Sequence, residues 1–335
     1  MSDRQWIIQA LFERRPCPVP YNFMFSPPAL AAMREHLGCS GVEDALGLPI
    51  RMTAPRSVKP LYASPSEFGP TVTDEFGVTW STSDIDRGSP IGHALRDPGC
   101  TDFVIPDARA ECRFEHLGSW CRQNADHYTI VWVGDLWERA TFMRGMENLL
   151  LDVALDPAFV GRLLRGIADH ILATMEVLFA RFRFDGIALS DDYGTQKAML
   201  ISPEAWRRLL RPLVGEIYAS ARRHGRTVFH HSCGHITPIV PDLIELGLDI
   251  LHPIQPEAMD VLSLKRLFGR DLAFCGGVST QDLLPRGTPG QVRDEVRRLK
   301  DELGRDGGYV LEPGITLQAD VPLENILAMI DEARR

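Results

Sequence analysis

Two residues in the second half of the chain, His231 and Cys233, have the types and spacing of a metal site. One residue separates them, and side chains two positions apart on an extended segment point the same way. An imidazole and a thiolate suit Zn²⁺, and a catalytic zinc site needs about three protein ligands and one open position. On its own this spacing is a weak signal, because it also fits a buried cysteine beside a histidine at a strand end.

Other chemically reactive side chains follow short apolar runs in the same half of the chain. They lie in Asp191-Asp192-Tyr193, His252-Pro-Ile-Gln255, Cys275-Gly-Gly277 and Glu312-Pro-Gly314. The runs are rich in Val, Ile, Leu and Phe, as buried parallel strands are. Strands lying side by side would therefore bring carboxylates, imidazoles and thiols to one rim.

A regular repeat of strands and helices from about residue 128 onward would position these groups. Asp156-Pro157 and Ser202-Pro203 place a capping residue before proline, and Thr288 to Gln291 has capping-box spacing. No GxGxxG loop follows any strand, and repeated strand–helix units predict a parallel sheet. We therefore predict a single (β/α)8 TIM-type barrel, with its catalytic groups at the carboxyl ends of the strands. The predicted strands are Tyr128–Val133, Gly186–Leu189, Thr227–His230, Asp249–Leu251, Leu272–Phe274 and Tyr309–Leu311.

The N-terminal third does not follow this repeat. Residues 1–15 and 27–46 predict helices, whereas residues 50–110 are rich in Pro, Gly, Ser and Thr. Within that stretch the alternating segment Thr71–Trp80 predicts a hairpin. We place residues 50–110 outside the barrel, as an irregular cap or rim. The chain is predicted as one domain, 1–335, with the N-terminal cap and early elements in 1–110 and the main barrel repeat in 111–335.

Composition excludes several classes of protein. The 335 residues are 44% hydrophobic and 24% charged, with a net charge of −9. This acidic balance does not favour a nucleic acid or a membrane surface as partner. No segment has the apolar length of a signal peptide core or a membrane span, so we expect a cytoplasmic protein with mostly free thiols. Five of its seven cysteines have no ligand-like spacing and are interpreted as ordinary thiols: Cys17, Cys39, Cys100, Cys112 and Cys121.

Several segments, in order, resemble the uroporphyrinogen decarboxylase superfamily. Within that superfamily the chain looks like the zinc-dependent methyltransferase branch that works with corrinoid proteins. The resemblance implies one TIM-type barrel with its active site in the carboxyl-end mouth. The segments that carry it are Asp74–Gly77, Arg144–Leu149, Asp191–Gln196, Ile201–Trp206, His231–Gly234, Pro241–Gly247, Asp249–Gln255, Gly276–Gln281 and Asp320–Ile326.

The resemblance implies that zinc is bound through His231, Cys233 and a later cysteine. In the family that cysteine lies in the last loop, which here reads Glu312-Pro-Gly-Ile-Thr316 and contains none. Cys275, at the end of the preceding strand, is one candidate for the third ligand. Glu312 is the other, since carboxylates also bind zinc.

The resemblance also implies a reaction: methyl transfer, in the demethylating or accepting direction, between a small methylated substrate or thiol and a corrinoid (cobalamin) carried by a partner protein. A bound Zn²⁺ can lower the pKa of a ligated thiol or alcohol. Asp191 and Asp192 are candidates for an acid that protonates a leaving group, and bracing a loop or capping a helix is the alternative role for this pair. His252 and Gln255 are expected either to bind substrate or to orient His231. The expected substrate-binding residues are Tyr193, Gln196, His252, Gln255 and Glu312.

Two other functions stay open. A uroporphyrinogen decarboxylase-like carboxy-lyase would need arginines for substrate carboxylates. The segment Pro18–Phe25, which corresponds to the arginine-rich motif of the decarboxylases, contains no arginine, and Ile315 stands where they have a histidine. The third function is a non-catalytic small-molecule-binding barrel that has lost its metal site. The resemblance also admits a homodimer.

Overall fold

Seven parallel strands form the central sheet. The structure, a computed structural model, describes residues 1–59, 64–85, 88–97 and 103–335. The central sheet has the order β1-β5-β6-β7-β8-β9-β10, and each neighbouring pair runs parallel. The strands are β1 (Ile50–Thr53), β2 (Thr71–Thr73), β3 (Thr79–Ser81), β4 (Pro90–Gly92), β5 (Tyr128–Asp135), β6 (Gly186–Ser190), β7 (Thr227–His231), β8 (Ile250–Ile254), β9 (Ala273–Val278) and β10 (Tyr309–Pro313).

An eighth extended segment lies beside β10. Tyr21 forms a parallel bridge with Leu311. The Leu311 N–H donates to the Pro20 carbonyl, and the Asn22 N–H donates to the Leu311 carbonyl. Seven strands and this segment give the α/β barrel that the sequence predicts, and all six predicted strands are present with small changes at their ends.

The N-terminal region contains one confirmed prediction and one correction. The predicted hairpin is present as β2 and β3, which pair antiparallel. The placement of residues 50–110 outside the barrel is wrong for β1, which pairs with β5 as part of the central sheet. The run is only four residues long and includes Arg51. The guanidinium of Arg51 is buried and bonded to Asp44 and to the Leu48 carbonyl, so the sequence pattern does not show that this strand is buried.

Helices pack around the sheet, and the predicted caps form. Asp156 accepts a hydrogen bond from the Phe159 N–H, and Thr288 forms a capping box with Gln291. The helices are α1 (Asp3–Ile8), which continues as a π-helical turn (Gln9–Glu13), α2 (Pro27–Leu37), α3 (Val42–Leu46), α4 (Pro65–Phe68), α5 (Leu117–Gln123), α6 (Trp137–Arg144), α7 (Met146–Leu155), α8 (Pro157–Arg181), α9 (Pro203–Leu209), α10 (Arg211–Arg223), α11 (Val240–Leu246), α12 (Val261–Phe268), α13 (Leu283–Arg286), α14 (Pro289–Leu303) and α15 (Leu323–Arg334).

The first helix and its π-helical turn pack against the interior of the barrel. Ile7, Ala10 and Leu11 belong to the same buried cluster as strand residues such as Ile50 and Ile130. Ile50 and Tyr128 begin their strands, so these apolar side chains fill the amino end. The cavity described below lies toward the other end. Within the described ranges, no helix is long and apolar enough to cross a bilayer.

Candidate active site

A cavity of about 540 Å³ opens at the carboxyl ends of the strands. His231, the last residue of β7, lines it together with Trp132 of β5 and Ser190 of β6. The hairpin contributes Glu75 and Phe76 to its wall, as expected for a cap over the mouth. The other lining residues are Met24, Ala54, Pro55, Ser57, Arg113, Val133, Gly134, Asp135, Glu138, Arg139, Ile167, His170, Ile171, Thr174 and Thr316.

Asp192, His231 and Cys233 form a cluster of possible metal ligands beside this cavity, which we call the mouth cluster. The His231 Nε2 lies 3.5 Å from the Cys233 Sγ and 3.4 Å from the Asp192 Oδ1. Tetrahedral zinc bonds of ordinary length place nitrogen and sulfur ligands about 3.6 Å apart, and nitrogen and oxygen ligands about 3.4 Å apart. The donor set and its spacing therefore fit a zinc ion.

Backbone contacts fix the mouth cluster. The Cys233 N–H donates to the Asp192 Oδ1 at 2.7 Å, and the Gly234 N–H donates to the Gln255 Oε1 at 3.1 Å. Gly234 has a φ of +82°, and a Cβ there would lie 2.4 Å from a backbone carbon of Gly194. The loops after β6 and β7 thus touch where only glycine fits, which holds Asp192 against Cys233.

The mouth cluster changes the proton affinity of its histidine. Burial alone would lower the pKa of His231, but hydrogen bonds with Asp192 and Cys233 raise it well above the ordinary value. A histidine must lose its proton to bind a metal through Nε2, so metal binding here would release a proton.

A second cluster lies deeper in the barrel, and we call it the inner cluster. His252, Cys275 and Glu312, from β8, β9 and β10, are each at most 2% exposed. The Cys275 Sγ donates to the Glu312 Oε2 at 2.6 Å, and the Asn22 Nδ2 donates to the Glu312 Oε1 at 3.3 Å. Burial raises the pKa of Glu312 to about 7 and raises that of the Cys275 thiol well above its usual range.

The two clusters meet at a pair of imidazole rings. His231 and His252 are register partners in β7 and β8, and their Nδ1 atoms are 2.8 Å apart. The structure groups the two candidates for the third zinc ligand apart from the His-x-Cys pair. Cys275 and Glu312 belong to the inner cluster with His252, whereas the third possible ligand beside His231 and Cys233 is Asp192.

Comparison with known proteins decides the family. The profile of the family described as Uroporphyrinogen decarboxylase (URO-D) matches residues 122–335, well over half of the chain. The chain belongs to the uroporphyrinogen decarboxylase family. The resemblance seen in the sequence is therefore confirmed.

Two relatives of this uroporphyrinogen decarboxylase-family protein come from Methanosarcina mazei. A methylated-thiol–coenzyme M methyltransferase is 24% identical over 191 residues. That match covers 57% of this chain and 48% of the relative, so it spans about half of the relative's length. A solved structure, a methyltransferase, has a TM-score of 0.72 at 17% identity over 100% of this chain and 98% of that one, and this likeness confirms the fold.

Asp191, one of the predicted catalytic residues of this family member, contacts the start of a helix. The Asp191 Oδ1 accepts from the backbone N–H groups of Leu136, Trp137 and Glu138 at the start of α6. Asp191 is fully buried, and burial raises its pKa well above the ordinary value. These contacts are those of a helix cap, the alternative role given for the Asp pair, and an acid role for Asp191 stays a prediction.

The predicted substrate-binding residues Tyr193 and Gln196 both contact other side chains of the protein. The Tyr193 hydroxyl donates to the Asp191 Oδ2 at 2.9 Å, and its buried ring stacks on His230. Gln196 is exposed and donates to the Gln281 Oε1 at 2.7 Å. Neither lines the cavity. Gln255 contacts Gly234 and His252 contacts His231. These contacts fit the orienting role, which is one of the two roles predicted for the pair.

The charged wall of the cavity was not predicted from the sequence. Arg113 forms two hydrogen bonds with Glu75, at 2.8 and 2.7 Å. Arg139 contacts Asp74 at 3.1 Å and stacks over the Phe76 ring at 4.5 Å. Asp74, Glu75 and Phe76 lie in a segment that carries the family resemblance, but nothing in the sequence marks Arg113 and Arg139 as their partners.

Four of the five cysteines interpreted as ordinary thiols are free: Cys17, Cys39, Cys112 and Cys121. The fifth, Cys100, lies outside the described residues.

Proposed function

We propose that this protein is a methyltransferase that moves a methyl group between a small methylated substrate or thiol and a corrinoid carried by a partner protein. The mouth cluster carries the proposal, because one nitrogen, one sulfur and one oxygen donor lie at zinc-like spacing beside a cavity. The relative named as a methylated-thiol methyltransferase supports the same class of reaction.

Asp192, His231 and Cys233 would hold the zinc ion. A zinc ion there supplies Lewis acidity, which lowers the pKa of a ligated thiol or alcohol near neutral pH. His231 can present an unprotonated Nε2 only when Nδ1 carries the proton, and the neighbouring His252 Nδ1 can accept a hydrogen bond from it. Since Asp192 serves as a ligand in this arrangement, it is not also the acid.

The cavity supports a small substrate. Its volume of about 540 Å³ is within the usual range of small-molecule sites. Trp132, Phe76 and Ile171 give it an apolar wall that excludes water from the reacting group. A thiol or methylated compound would enter with its sulfur, oxygen or nitrogen toward the Nε2 of His231.

The carboxy-lyase alternative has less support. Two arginines, Arg113 and Arg139, do line the cavity. However, Arg113 is 4% exposed and bound by two hydrogen bonds to Glu75, and Arg139 is bonded to Asp74 and Asp135. A substrate with many carboxylates would have to compete with these internal carboxylates and approach an acidic wall.

The experiment is an absorbance assay with the purified, zinc-loaded chain. Methylcobalamin and a panel of small thiols are supplied, and formation of cob(I)alamin is followed as the methyl group passes to the thiolate sulfur. In the reverse direction, cob(I)alamin is supplied with methyl thioethers, methoxy compounds and methylamines. We expect transfer with at least one substrate class. Release of carbon dioxide from porphyrinogens, with no methyl transfer, would establish the lyase instead.

Three features stay as proposals. We propose a cytoplasmic location because Cys17, Cys39, Cys112 and Cys121 are free thiols. The corrinoid protein is expected to dock over the cavity mouth, where its cobalt can reach the substrate. A homodimer is compatible with the resemblance and is tested by light scattering.

A further inference from the structure

We propose that the inner cluster of His252, Cys275 and Glu312 is a second metal-binding site, suited to a thiophilic divalent cation such as zinc. One ligand atom from each residue lies within 4.8 Å of the other two. The site goes beyond the proposed function, which uses only the mouth cluster, and it does not depend on methyl transfer.

An unpaired buried nitrogen points to a missing ligand. His252 is fully buried, and its Nε2 has no hydrogen-bond partner among the residues that the structure describes. The nearest carboxylate oxygen, the Glu312 Oε2, is 3.7 Å away, which is too far for a hydrogen bond. A buried polar atom without a partner costs about 1–3 kcal/mol. A cation among the three side chains would satisfy Nε2 together with the sulfur and the carboxylate.

The three side chains are of the types that bind zinc, and strands β8, β9 and β10 fix the backbone positions of these residues. Imidazole, thiolate and carboxylate are the three kinds of zinc ligand found in proteins. The nitrogen–oxygen distance of 3.7 Å is close to the tetrahedral value of about 3.4 Å. The Cys275 Sγ, now 2.6 Å from the Glu312 Oε2, would lose its proton and move away by about 1 Å to reach tetrahedral spacing. Asn22 holds the other carboxylate oxygen.

The histidine pair links the inner cluster to the mouth cluster. Because two Nδ1 atoms face each other, only one of them can donate the hydrogen. When His252 binds a cation through Nε2, its Nδ1 keeps the hydrogen and donates to His231, whose own hydrogen is then on Nε2. While both rings are neutral, a cation in the inner cluster therefore excludes ligation by His231.

Cobalt(II) is the probe that tests this site, because thiolate ligation gives it a sulfur-to-metal charge-transfer band in the near ultraviolet. The Cys233→Ser/Asp192→Asn variant of the full chain, which lacks two ligands of the mouth cluster, is prepared metal-free and titrated with Co²⁺. Cys275→Ser is then added to that background, and Cys121→Ser is added as a matched control thiol.

We expect the mouth-disabled variant to bind one Co²⁺ and to show the thiolate band. Added Cys275→Ser should remove the band and weaken binding by about tenfold or more, whereas Cys121→Ser should change neither. No binding, binding without the band, or a band that survives Cys275→Ser would overturn the proposal. If the double variant does not fold, Cys233→Ser alone allows the same comparison. The readout is metal absorption, so loss of methyl transfer in the wild type would leave this result unaffected.

Discussion

The Nδ1 atoms of His231 and His252 face each other at 2.8 Å, with ring centroids 4.9 Å apart. Their positions as register partners on adjacent strands create this contact. One ring ends in the mouth cluster beside Cys233, and the other ends in the inner cluster beside Glu312. The protonation pattern of one ring therefore sets which nitrogen of the other is available.

This pairing predicts that the two clusters of possible ligands found among the described residues together bind one divalent ion at saturation. Only one of the two Nε2 atoms is unprotonated while both rings are neutral. The number of zinc ions bound per chain is measured by mass spectrometry after equilibrium dialysis. Two tightly held ions per chain would contradict the shared-hydrogen account, and Cys121→Ser should bind the same single ion.

The adjacent residues Asp191 and Asp192 should respond in opposite ways to the same substitution. Asp191→Asn weakens the cap on α6, where three backbone N–H groups surround one carboxyl oxygen, so unfolding should become easier by roughly 1–2 kcal/mol. Asp192→Asn removes a ligand of the mouth cluster and should weaken zinc binding by about tenfold or more, with little change in stability. Denaturant melts and zinc titrations separate the two effects.

An equal loss of zinc affinity in both Asp variants would contradict the assignment of Asp191 to the helix cap. An unchanged affinity in Asp192→Asn would remove Asp192 from the ligand set.

The sequence could predict most of the barrel because its buried strands are apolar runs between clear helix signals. It could not predict β1, since the buried arginine in that short run is compensated by Asp44 across a loop. The same limit applies to the site. The His-x-Cys spacing marks two ligands, but Asp192 and Cys275 could be sorted between two clusters only once the strand order and side-chain directions were known.

Asp191 and Asp192 show most directly what the sequence alone could not predict. Both follow β6, and both are carboxylates at a strand end. One turns under α6 and the other turns toward Cys233, a difference that depends on tertiary contacts with segments more than 40 residues away in sequence.

Glu75 in the cavity wall should stabilise the fold in a pH-dependent way. Burial alone would raise the pKa of Glu75, but the hydrogen bonds and charge of Arg113 lower it below the ordinary 4.5. Its contribution is therefore present above pH 4.5 and is lost as the pH falls through the lower folded-state pKa. At pH 7, Glu75→Gln leaves a buried arginine unpaired and should cost roughly 3 kcal/mol.

The wild type and Glu75→Gln should differ less in their free energy of unfolding as the pH falls below 4.5. Denaturant melts at several pH values measure this difference. Glu111→Gln is the matched control, because Glu111 also pairs with an arginine but is exposed and should leave stability nearly unchanged. If the difference in free energy of unfolding does not change with pH, the Glu75–Arg113 pair is not the cause of that difference.

The rate of methyl transfer between cobalamin and thiol in two cysteine variants tests most directly whether the mouth cluster holds the zinc ion that this reaction uses. Cys233→Ser replaces the sulfur of the mouth cluster, whereas Cys121→Ser replaces a half-buried thiol that is not part of either cluster. We expect the rate to fall by roughly a hundredfold or more in the zinc-loaded Cys233→Ser protein and to stay unchanged in Cys121→Ser. Equal rates in the two variants would contradict it.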